Sequence, residues 1–167
     1  MVTFIKMAQQ ISFCKSWFRA KKRATEMWAV ERAHAAHEAK TLYTVLVGNP
    51  DAPTSFLEIN DGFVGVGFLD GRLREILYYA FKEVEPGILF LSMATYRDFI
   101  GETDKVAGGT TYVFERVGRV KIRREQFVDP REIGVAESVV DVLANYSMWP
   151  KFGDYEDLIK AERVVSS

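Results

Sequence analysis

Between Leu42 and Phe127 the chain is divided into short strand-like segments by Asn60-Asp61-Gly62, Asp70-Gly71, Glu85-Pro86-Gly87 and Val117-Gly118. Asparagine or aspartate beside glycine supplies the positive φ angles of a tight hairpin. The punctuation therefore predicts neighbouring antiparallel strands and argues against a parallel sheet with helical crossovers. The predicted strands are Leu42–Val47, Ser55–Ile59, Phe63–Leu69, Arg72–Val84, Ile88–Tyr96, Thr110–Arg116 and Arg119–Gln126. In the last two, alternating Tyr112, Phe114, Val120 and Ile122 imply one buried and one wet face.

Residues 4–39 contain no proline or glycine, and Ala, Lys, Arg, Glu and Met dominate from Arg19 onward. Phe4, Met7, Ile11, Cys14 and Phe18 recur at three- and four-residue steps, with Phe13, Trp17, Ala20, Ala24 and Met27 as a second stripe. This spacing predicts a long amphipathic helix with a broad apolar face docked on the sheet. Lys15, Arg19, Lys21, Lys22 and Arg23 around Trp17 and Phe18 also fit an interfacial membrane helix, although a charge run on a helix is ordinarily its solvated face. Ala136–Asn145 fits a last strand or a short helix. Asp154 reads as the amino-terminal cap of a helix running to about Glu162. The expected fold class is α+β. It comprises a single domain with residues 1–40 helical, 41–127 a mainly antiparallel meander, and 128–167 irregular with a short C-terminal helix.

Composition narrows the function classes. At 167 residues and 48% hydrophobic content, one core forms without disulfide or metal. The single cysteine, Cys14, forms no internal disulfide and suits a reducing, cytoplasmic setting. The amino terminus does not read as a secretory signal, and no segment approaches the ~20 apolar residues of a spanning helix. Residues 1–40 carry +5 and residues 41–167 carry −6, neither being the dense basic character that direct nucleic-acid binding needs.

Candidate chemistry is sparse, and the expectation is that the protein is not an enzyme and holds no cofactor. Gly65, Gly67 and Gly71 superficially match a dinucleotide-binding motif, but their spacing and hairpin context assign them to a turn and a close approach on a strand face. His34 and His37, the only histidines, sit one helical turn apart and form a weak metal candidate without further ligands. No glycine-flanked serine elbow accompanies them. The acidic stretch Asp98, Glu102 and Asp104, and the aromatic and acidic cluster Tyr146, Trp149, Phe152, Asp154, Tyr155, Glu156 and Asp157, are the candidate partner-binding residues, because loop tyrosine and tryptophan are favoured interface anchors. An alternative is a small-molecule-binding domain or small enzyme whose sheet curls around Tyr78, Phe81, Phe90 and Tyr112.

Four phrases carry a further resemblance: TVLVGNPDAPTSFLEI at Thr44–Ile59, FVGVGFLDGRLREILYYAFKEVEPGILFLSMATYRDF at Phe63–Phe99, GTTYVFERVGRVKIRREQF at Gly109–Phe127 and KFGDYEDLI at Lys151–Ile159. The stretch from Thr44 to Ile159 resembles immunity proteins encoded beside secreted polymorphic toxins of the Rhs and type VI class. That resemblance implies a protein of bacterial competition that binds a cognate toxin domain in the cytoplasm and occludes its active site, with no chemistry of its own and no contact with nucleic acid or membrane.

Overall fold

A computed structural model describes residues 9–163. These residues form one 11-stranded antiparallel sheet with a single α-helix. In chain order the strands are β1 (Ile11–Phe18), β2 (Arg23–Trp28), β3 (Tyr43–Asn49), β4 (Ala52–Asn60), β5 (Phe63–Leu69), β6 (Glu75–Glu85), β7 (Ile88–Phe99), β8 (Val106–Phe114), β9 (Arg119–Gln126), β10 (Glu132–Val139) and β11 (Tyr146–Met148). The helix α1 (Val30–Ala39) lies between β2 and β3. From β3 to β10 each strand pairs with the next, and the β1–β2 hairpin adds to the free side of β3. The turns expected at Asn60–Gly62, Glu85–Gly87 and Val117–Gly118 are the hairpin connections of this meander.

The expected α+β class is corrected to a mainly β fold. The long N-terminal helix is absent from the described residues. Ile11–Phe18 and Arg23–Trp28 are a hairpin around a 3-10 turn at Arg19–Lys21, and only Val30–Ala39 of the expected span is α-helical. Phe4 and Met7 lie outside the described residues. The physical cause is that β1 is buried on both sides: Phe13 and Cys14 are adjacent in sequence, yet Phe13 joins one core cluster and Cys14 the other. Two buried faces hide the period-two alternation and imitate a broad helix face. Pairing of β1 with β3 then outweighs the helix propensity of the Lys- and Ala-rich turn.

The short C-terminal helix is corrected too. Around Asp154 the chain makes one turn, with the Leu158 and Ile159 N–H groups donating to the Tyr155 carbonyl, and then extends. A helix this short has little intrinsic stability. Here the carbonyl of Ala161 instead accepts from the Tyr79 hydroxyl at 2.6 Å. No helix among the described residues is long and apolar enough to cross a membrane.

Because directly paired residues project to the same side, the pairings define the two sheet faces. One lateral row runs Val45, Leu57, Val66, Tyr79, Ala94, Tyr112, Ile122, Ala136; the next runs Leu46, Phe56, Gly67, Tyr78, Thr95, Thr111, Arg123, Val135. The first row belongs to the large core, which α1 covers through Ala33 and Ala36 and the C-terminal segment through Tyr155 and Leu158. β11 anchors that segment by pairing with Ile88–Phe90, whereas β8 pairs with β7 only from Met93 onward. The second row is open at its β7–β10 end.

Candidate functional site

The open face is roofed at one end by side chains alone. Tyr78 and Phe56 lie flat across β5 because Gly65 and Gly67 have no side chain: a Cβ on Gly65 would stand 1.9 Å from the Tyr78 hydroxyl, and one on Gly67 2.3 Å from the Phe56 ring. The Arg19 guanidinium, delivered by the 3-10 turn, sits 5.0 Å above the Phe56 ring and 5.6 Å above Tyr78. Its Nη2 reaches Glu58 at 2.5 Å and its Nε reaches Glu75 at 3.1 Å. Arg97 completes the chain by binding the other oxygen of Glu75 at 2.5 Å. Burial opposes the charge on Arg19, but the two carboxylates outweigh it and raise its pKa. Burial also leads in raising the Tyr78 hydroxyl, helped by the Glu58 carboxylate.

Beside this network lies a cleft of about 290 Å³, with Trp17, Leu69, Leu73 and Phe99 as apolar lining and Arg19, Lys22, Arg74, Glu75 and Asp104 as polar lining. Its rim is three loops tied together. Lys22 pairs with Asp104 at 2.6 Å, Arg72 pairs with Glu102 at 2.6 Å, and Arg74 donates to the carbonyls of Gly101 and Thr103 at 2.9 and 2.8 Å. Arg74 is itself held by Asp70 at 2.8 Å. Burial alone would raise the Asp70 pKa; the Arg74 and Arg72 N–H groups and the Arg74 guanidinium prevail and keep it below the usual carboxylate range.

Beyond the cleft the same face continues over β7 to β10 with no cover among the described residues. Met93, Val113, Ile133, Val135 and Val139 are exposed there, interleaved with Arg119, Lys121 and Arg123 on β9. The surface thus offers aromatic and arginine anchors at one end and an apolar and basic sheet at the other, a composition suited to a macromolecular contact.

The candidate residues divide between the two faces. Glu102 and Asp104 are at the cleft rim, whereas Asp98 is exposed on β7 in alternation with Arg97 and so projects from the side of the sheet that carries Ala94 and Tyr96. The aromatic cluster is on the opposite side, packed against the large core. Tyr155 is buried, its hydroxyl 3.0 Å from that of Tyr43. Phe152 stacks on Phe13 and on His34 at 5.1 and 4.6 Å between centroids. Tyr146 packs on Phe90 and accepts a hydrogen bond from Arg116 Nε at 3.1 Å. Trp149 is half-buried, its backbone N–H donating to the Gly87 carbonyl, and Asp154 and Glu156 are exposed, the Glu156 backbone N–H donating to the Asp154 carboxylate at 3.4 Å. Asp157 accepts from Ser147 and from Lys160 at 2.9 Å and pairs with Arg163 at 3.0 Å; burial opposes its charge, but these partners outweigh it and push its pKa down to about 2. The cluster fastens the C-terminal segment, so the structure does not bring it together with Asp98, Glu102 and Asp104.

His37 Nδ1 lies 2.7 Å from the Tyr43 hydroxyl, extending the Tyr43–Tyr155 pair into a three-membered chain, and burial lowers its pKa. No group of three or more His, Cys, Asp or Glu residues able to hold a metal occurs among the described residues. Tyr78 points to the open face while Phe81 and Phe90 fill the large core, so these residues do not line one cavity with Tyr112. Trp17 is a buried strand residue, and the Gly65–Gly71 stretch is β5 and the turn after it. Burial pushes the Cys14 thiol up to about 11, keeping it protonated.

Sequence reasoning missed Arg19, Glu58, Glu75 and Arg97. Their partners are as many as 56 residues apart in the chain, and no local spacing announces them. The available signal was an acidic residue within the apolar β4 strand, Glu58, and another opening β6, Glu75, since carboxylates at half-buried strand positions require a cationic partner. Comparison with family models, curated proteins and solved structures finds no match to this chain.

Proposed function

We propose that the protein is an immunity protein that binds a cognate secreted bacterial toxin in the cytoplasm and neutralises it by occluding its active site, using the open sheet face. The observation that carries this reading is the asymmetry of the sheet. Its own chain seals one face, whereas the other presents a cleft rimmed by paired charges and continues into exposed apolar and basic residues. Arginine and tyrosine, here exposed Arg19 and half-buried Tyr78, are among the residue types that dominate protein–protein binding energy. The rim charges, Arg72 with Glu102 and Lys22 with Asp104, are mostly solvent-accessible and exchange partners at small cost, as rim charges do when they set association rate and partner choice.

The test is co-expression with the product of the adjacent reading frame, followed by titration calorimetry on the purified pair. A stoichiometric complex that abolishes toxicity, weakened at least tenfold by Arg19→Ala or by joint reversal of Glu102 and Asp104 to lysine, supports the reading. A complex insensitive to both sets places the contact elsewhere, and no complex removes the proposal. The cleft volume of about 290 Å³ also favours a second reading, a small ligand seated against Trp17 and Phe99. Calorimetry with the chain purified under native conditions, before and after dialysis against denaturant and refolding, would release such a ligand.

A further inference from the structure

Among the described residues the main strand order ends at two edges, β2 and β10, the three-residue β11 being a short side branch paired only with β7, and the two ends differ. β2 is interrupted at Glu26, whose φ is 41°, and the Arg32 guanidinium covers Trp28 at its end. β10 has no proline, lysine or bulge among the devices that keep an edge from pairing, and its charged residues are Glu132 at its start and Glu137. All eight of its residues are exposed, and its register with β9 is continuous from Glu132 to Val139.

The direction of its free hydrogen-bonding groups follows from one contact. The Val140 N–H donates to the Gly118 carbonyl at 2.8 Å, and hydrogen-bonded and non-bonded pairs alternate along an antiparallel ladder. The even-numbered residues of β10 therefore bond to β9, and Ile133, Val135, Glu137 and Val139 turn their N–H and C=O groups outward.

We propose that β10 pairs antiparallel with β10 of a second copy about a twofold axis at Ala136, making a continuous sheet across two chains. This register gives all four outward residues a hydrogen-bonded counterpart; shifting it by two residues orphans at least one on each strand. It sets Ile133 opposite Val139 of the second copy on the open face. On the other face it sets Ala136 opposite itself and Gly134 opposite Ser138, all small. Glu137 lies opposite Val135 of the second copy and keeps Lys121 beside it on β9, which offsets the diagonal approach of the two Glu137 carboxylates. Ile133 meets Val139 and the small residues meet one another because the strand is read against itself, the requirement of an isologous contact; the Glu137–Val135 pair is the one mixed match. The pairing leaves the cleft around Arg19 free and stands whether or not a toxin binds there.

Sedimentation equilibrium of the full chain from low to high micromolar concentration tests it. The mass is expected to rise from 19.0 kDa to twice that value. Val135→Pro removes one outward donor without touching a β9 bond and is expected to keep the monomer mass throughout, with an unchanged circular dichroism spectrum. The register is read separately by oxidation. Ala136→Cys forms a non-hydrogen-bonded pair across the axis, with Cα atoms about 4.5 Å apart, and cross-links; Ser138→Cys, four residues out of register with its copy, does not. The native Cys14 is fully buried and silent. A wild-type chain that stays monomeric, or Ser138→Cys cross-linking as readily as Ala136→Cys, overturns the proposal. So does a dimer that survives Val135→Pro. If Val135→Pro fails to fold, the contrast between the two cysteine variants still decides.

Discussion

The two faces of the sheet are made by the same strands, residue by alternate residue, yet they are stabilised in different ways. The covered face carries fully buried Tyr43, Val45, Leu57, Tyr79 and Phe81, and polar groups within it are paired individually, Tyr43 with His37 and Tyr155 and the Leu91 carbonyl with Asn145. The open face buries a smaller cluster around Leu46 and Phe56 and closes it with a charged aromatic roof. Burial of apolar area dominates the first; the second spends its composition on accessible cations, carboxylates and rings. A domain needs only one sealed face to be stable, which frees the other for recognition.

Substitutions should separate the faces by size of effect. Phe81→Ala on the covered face opens a cavity where the ring is fully buried, and is expected to lower stability by about 3–5 kcal/mol in urea denaturation. A loss below ~1 kcal/mol would mean that this side is loosely packed. Gly67→Val places atoms inside the Phe56 ring position and should cost about 1–3 kcal/mol through displacement of the roof, with the covered face unaffected. Near-ultraviolet circular dichroism should report the tryptophan environment of Trp17, which stacks on Phe56 at 6.2 Å.

Acid provides a milder perturbation that begins on the covered side and reaches the Asp70 carboxylate at the cleft only at lower pH. Burial depresses the His37 pKa below 6.5, so the neutral ring is favoured in the folded state. Its contribution is complete above about pH 6.5 and is lost as pH falls through the depressed value. The thermal midpoint should therefore decline below pH 6.5, and His37→Gln should flatten that decline. A second loss belongs to Asp157, whose contribution is present above its unfolded value of 3.8 and disappears as pH falls toward 2. Asp157→Asn should remove it. The smallest change in stability is expected from Arg19→Ala, about 1 kcal/mol, because Arg19 is nearly half-exposed and Glu75 keeps Arg97 as its cationic partner, while binding of the proposed toxin falls at least tenfold. A large loss of stability in Arg19→Ala would make the roof structural and break the division of labour between the faces.

How much was legible varies along the chain. β5 and β9 keep the bounds expected from sequence, and the other five strands from β3 to β8 were recognised with ends displaced by a few residues. The strand-or-helix reading of Ala136–Asn145 overlaps only the second half of β10, whose exposed residues have no inward-facing pattern to read. Of the candidate site, Glu102 and Asp104 fall beside the cleft and Asp98 does not, whereas Tyr155 and Phe152 became core because nothing local distinguishes an aromatic that anchors a partner from one that anchors its own tail.

The amino-acid order by itself determined the meander, because hairpin turns and strand alternation are encoded within about ten residues of one another. Tertiary structure alone decided that Phe13 to Met27 is a hairpin, that Arg19 meets Glu58 and Glu75, and which face stays open. Those outcomes depend on β1 reaching β3 and on a C-terminal segment returning to β7 from more than forty residues away. Their energies belong to contacts between distant segments, which no local pattern records.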